Sequence, residues 1–94
     1  MTFSDEQIQA HKAKYRDLYL ITVDDKSCLL HKPTRQTLSY VSSIKDPIRM
    51  SEAMLAQLWV DGDEDIKTDD ELFMAVVAKM DEVIKVKEAE IKKL

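Results

Sequence analysis

Glycine occurs once in this chain, at position 62, and proline twice, at positions 33 and 47. That scarcity argues against a turn-rich sandwich or barrel, whose many tight reversals draw on both residues, and for helices with short joints. Cysteine is also single, at position 28, so an intrachain disulfide is excluded and a reducing compartment is the natural setting. No apolar run nears the ~20 residues needed to span a bilayer, and the N-terminal residues lack the basic-then-apolar order of a secretory signal. The expectation is a cytoplasmic protein with no membrane partner. Basic residues are outnumbered, 14 Lys and Arg against 18 Asp and Glu. The resulting charge of −4 disfavours nucleic acid, whose phosphates are bound by clustered cations that displace counterions.

Catalytic signatures are missing as well. There is no G-x-S-x-G elbow, no P-loop and no glycine-rich dinucleotide turn, and Gly62 alone cannot build a phosphate cradle. The adjacent acids Asp24 with Asp25 and Asp69 with Asp70 have the residue types of an acid/base pair, but carboxylates in a turn or a first helical turn are normally solvated. No enzyme activity and no cofactor are expected.

What is present describes one modest domain over residues 1–94. Apolar residues make up 45% and charged residues 34% of the 94 positions, a globular balance rather than a disordered one, with roughly 60–65% of the unfolded surface buried on folding. Ser4 and Gln7 stand at capping-box spacing, with Phe3 and Ile8 placed as a staple, which predicts a sparse surface helix over 5–16. The run Leu-Tyr-Leu-Ile-Thr-Val from residue 18 is β-branched and aromatic, the polar break at 24–27 follows, and a second apolar run begins at Cys28. Together these predict a β-hairpin over about 18–32. Thr34 caps a helix to about Ser43, and Asp46 before Pro47 opens another to about Val60. An acidic connector, 61–65, leads onward.

The last quarter of the chain has the strongest pattern. Thr68 three residues before Glu71, with Asp69 and Asp70 between, marks a helix start, and a long C-terminal helix is predicted over about 69–94. Phe73, Val76, Val77, Met80, Val83 and Ile84 fall on one face, and the stripe then thins to Val86, Ala89, Ile91 and Leu94 among lysines and glutamates. Val83, Ile84, Val86, Ile91 and Leu94 are therefore the candidate partner-binding residues, for a protein partner or for homo-oligomerisation through the same helix. The fold class is α+β, helix-rich with one hairpin.

Metal chemistry is poorly supplied. Asp61, Asp63 and Asp65 occupy the first three ligand positions of a calcium loop, but Ile66 stands where the glycine belongs and Leu72 where the bidentate acid belongs. Cys28 and His31 have C-x-x-H spacing, yet only His11 remains as another nitrogen donor, and a closed zinc site needs four ligands. No metal site is expected. His11, Lys12, Lys14 and Arg16, like Lys32 and Arg35 around Pro33, are read as solubilising faces. Trp59, Met50, Met54, Met74 and Met80 sit at apolar helical positions, where packing is the default and an adaptable peptide-holding surface is the alternative.

Four further pieces appear in order: Lys32-Pro33-Thr34-Arg35, Asp46-Pro47, Leu58-Trp59-Val60-Asp61-Gly62-Asp63, and Asp69-Asp70-Glu71-Leu72-Phe73. On these the stretch from His31 to Leu94, about two thirds of the chain, resembles the small tail assembly chaperones of tailed bacteriophages and prophages. The resemblance implies a cytoplasmic helper that keeps the tape-measure protein soluble while tail-tube subunits polymerise around it. It implies no catalysis, no place in the finished virion and, in many members, a second and longer product made by frameshifting. No binding residue carries over from it. A different class remains open on the residues alone: a small acidic inhibitor, antitoxin-like, that covers its partner with residues 61–65.

Overall fold

The computed structural model describes residues 2–15, 17–85 and 89–94. Its order is α1 (Asp5–Lys14), β1 (Leu18–Val23), β2 (Lys26–His31), α2 (Arg35–Ser42), α3 (Pro47–Leu58), β3 (Trp59–Gly62), α4 (Asp65–Thr68) and α5 (Asp70–Ile84). The α+β class and the hairpin follow the sequence pattern closely. Polar side chains start α1, α2 and α3 as their spacing predicts. Ser4 accepts from the Gln7 amide at 3.2 Å and Gln7 reaches back to the Ser4 amide at 2.8 Å. Thr34 and Thr37 do the same for α2, and one oxygen of Asp46 accepts from both Ile48 and Arg49 at the start of α3.

The sheet is antiparallel in the order β1-β2-β3. A two-residue turn, with Asp24 at φ 53°, sets Val23 opposite Lys26 and Leu18 opposite His31. β2 is the central strand, and Ser27, Cys28, Leu29 and Leu30 are buried in succession because both sheet faces are covered there. Ile21, Cys28 and Leu30 face a core closed by Val41 of α2, Met54, Leu55 and Leu58 of α3, Ile66 of α4, and Val76, Met80 and Val83 of α5. Leu29 points the other way, as strand alternation requires. On that side α1 brings His11 to within 3.3 Å of Asp61, which pairs with Leu29, and Tyr15 stacks on His31 with ring centroids 4.8 Å apart. α1 itself buries no residue, in keeping with its sparse apolar pattern.

Three boundaries depart from the sequence reading. β3 was expected as the end of a helix and the start of a connector; instead Trp59 turns extended at φ −64°, ψ 125° directly after Leu58, and the strand pairs with β2. Leu30 opposes Trp59 and Leu29 opposes Asp61, so Val60 is an extra, bulged residue. Thr68 does not cap the last helix: it closes α4, and Asp69 is the cap, accepting from the Leu72 amide at 3.0 Å. Finally, α5 ends at Ile84 rather than near 94, and residues 89–94 have no regular structure. Its last buried side chain is Val83, and a helix in water lasts about as long as the face that packs.

Candidate protein-binding surfaces

The five residues predicted for partner contact do not form one surface. Val83 is in the core and Ile84 packs half-buried against it, so the fold itself occupies these two positions. This corrects the assignment of Val83 to a partner. Ile91 and Leu94 are fully exposed, and Val86 lies outside the described residues.

A different apolar surface runs between α3 and α5. Asp46 and Pro47 fix where α3 begins, Asp69 fixes where α5 begins, and Ile48 and Asp70 at the two helix starts border one depression. One depression of about 200 Å³ is lined by Glu52, Leu55, Ala56, Lys67 and Phe73. The adjoining one, about 290 Å³, is lined by Ile48, Glu52, Lys67, Asp70, Phe73 and Met74. Since Glu52, Lys67 and Phe73 belong to both, the two make a continuous trough. Ile48 is 56% and Met74 62% exposed at its open end, a large apolar exposure for residues on ordered helices. Lys67 is held in place on the rim, its ammonium 3.1 Å from the Glu64 carboxylate and 4.2 Å from the centroid of the Trp59 ring. The trough's floor is apolar and its rim carries charges of both signs, the composition of the core and rim of protein–protein interfaces in general.

Sequence reasoning found part of this. Of the methionines singled out, Met54 and Met80 are buried, Met50 packs against the core, and Met74 alone is strongly exposed. The signal for Met74 was its offset from the Phe73–Val76–Met80 face; Ile48 gave none beyond following Pro47.

The acidic connector is largely engaged by its own chain. Asp61 meets His11, Asp65 meets Lys26 at 3.0 Å, and Glu64 meets Lys67. The hydrogen bond and charge of Asp65 raise the Lys26 ammonium above its usual pKa. The Asp63 carboxylate accepts from the Ser27 amide at 2.9 Å while the Asp63 amide donates to the Ser27 carbonyl at 3.0 Å, which ties the residue after β3 to β2. Among the described residues, no group of three or more His, Cys, Asp or Glu is placed to hold a metal ion. Cys28 is fully buried, and desolvation, aided by the negative charge of Asp63, pushes its thiol up to about 11. His31, on the opposite face, donates its Nδ1–H to the Lys32 carbonyl at 2.7 Å and stacks on Tyr15. The C-x-x-H pair is therefore split between the two sides of the sheet.

No helix among the described residues is long and apolar enough to cross a membrane. Comparisons with protein-family models, curated proteins and solved structures give no match to this chain.

Proposed function

We propose that this protein is a non-catalytic helper that holds another polypeptide, of the tail assembly chaperone kind, with a tape-measure or tail-tube protein as its client. The observation that carries this reading is the trough between α3 and α5, where Ile48 and Met74 stand open above Phe73 and Leu55. The order of the four sequence pieces resembling phage tail chaperones supports the client class, and the exposed Ile91 and Leu94 add apolar surface outside the folded body. The setting is the cytoplasm of the host cell.

The chain should be co-expressed with a tail-tube protein and, separately, with a tape-measure protein of a tailed phage, and the captured partner quantified. Burying Ile48 and Met74 on a client contributes on the order of 1–2 kcal/mol each. Ile48→Asp combined with Met74→Asp is therefore expected to weaken capture at least about tenfold, with the far-UV circular dichroism spectrum unchanged because both side chains are exposed. Capture indifferent to the double substitution would exclude the trough; absence of capture of either protein would reject the client class.

A further inference from the structure

The two edges of the sheet are built differently. β3 is four residues long, carries the Val60 bulge and ends in Asp61 and Gly62, all features that discourage a further strand from pairing. β1 has six residues, Leu-Tyr-Leu-Ile-Thr-Val, with no charge, no proline and no bulge against β2. Among the described residues, no backbone hydrogen bond outside the hairpin involves 18–23, so the outward N–H and C=O groups of this strand are open. A groove of about 270 Å³ runs beside it, lined by Tyr19, Leu20, Ile21 and Thr22 together with Lys79, Glu82 and Val83 of α5. Four consecutive strand residues point to alternating faces, so a groove touching all of them follows the strand's free edge. Leu20 is 56% exposed there.

We infer that this edge pairs with the same edge of a second copy of the chain, joining two three-stranded sheets into one of six strands. The charges favour a copy of itself over an unrelated strand. Lys79 and Glu82 lie one helical turn apart on α5 and both border the groove. A two-fold axis perpendicular to the sheet runs the two α5 helices antiparallel on the same side, which sets the lysine of each copy against the glutamate of the other. Strand alternation requires that axis to fall on a residue rather than between two, so that side chains facing the core stay on the core side in both copies; Leu20 and Ile21 are the middle of β1. The same pairing covers Leu20 and leaves the trough between α3 and α5 free. It stands whether or not that trough holds a client.

Equilibrium sedimentation of the full chain should give twice 10.9 kDa, with residues 18–23 protected from amide exchange on both strand edges. Leu20→Lys, at an exposed site, is expected to raise the dimer Kd about tenfold or more without altering the circular dichroism spectrum. Lys79→Glu should weaken the dimer as well, and adding Glu82→Lys should restore it. A monomer throughout the accessible concentration range overturns the inference. So does a dimer indifferent to Leu20→Lys and to the charge exchange, or a β1 edge that becomes protected only when a client polypeptide is added.

Discussion

Replacing Gly62 with alanine tests the architecture where it is tightest. Gly62 pairs with Cys28 of the central strand at φ +155°, a backbone conformation that residues with a side chain rarely adopt. A Cβ there would stand 2.7 Å from both the Cα and the Cβ of Cys28 and 2.8 Å from the Ser27 carbonyl oxygen. The strands have little room to part, because Asp63 and Ser27 exchange two hydrogen bonds immediately beyond. The strained dihedral costs about 1–3 kcal/mol, and displacing packed strand backbone adds about 1–3 kcal/mol. The sum, about 2–6 kcal/mol, is a large part of the 5–15 kcal/mol that stabilises a typical domain. At about 4 °C or more per kcal/mol for this size, Tm should fall by at least about 8 °C. Urea unfolding followed both by Trp59 fluorescence and by circular dichroism measures the loss directly. A loss below about 1 kcal/mol with an unchanged m-value would refute the close approach of β3 to β2.

Two other outcomes follow from burial. Cys28 should resist alkylation in the native protein and react fully in denaturant. Because its folded pKa lies near 11 against an ordinary 9.0, the folded chain keeps a proton that the unfolded chain sheds. The thiol's contribution to stability should therefore be whole below pH 9 and decline as pH rises toward 11, as a series of denaturant titrations would reveal; Cys28→Ala should remove that slope. Deleting residues 89–94, all exposed, should change unfolding free energy by less than about 0.5 kcal/mol, and a larger loss in the same titration would mean that the segment packs on the domain.

Local chemistry made much of this fold legible. The Ser4, Thr34 and Asp46 caps and the hairpin needed only neighbours in sequence, and each stands where its spacing puts it. β3 escaped because its four residues follow α3 without a loop and owe their extended form to β2, about thirty positions earlier in the chain. The apolar stripe of α5 was visible, but not which of its residues the domain would take for itself. Val83 looked available for a partner only because the sheet it packs against could not be placed from the sequence. The trough had the weakest trace, since exposure of Ile48 and Met74 depends on how two helices meet rather than on either helix alone.

The central position of β2 also bears on the order in which the molecule is made. Twenty-seven residues separate the end of β2 at His31 from the start of β3 at Trp59, and the helix that supplies Val76, Met80 and Val83 comes later still. During synthesis from the N-terminus, the hairpin is therefore complete while one ladder of its inner strand and the oily side carrying Cys28 and Leu30 still face water. The nascent chain is most vulnerable to wrong associations in that interval, which closes only once the fifth helix has left the ribosome.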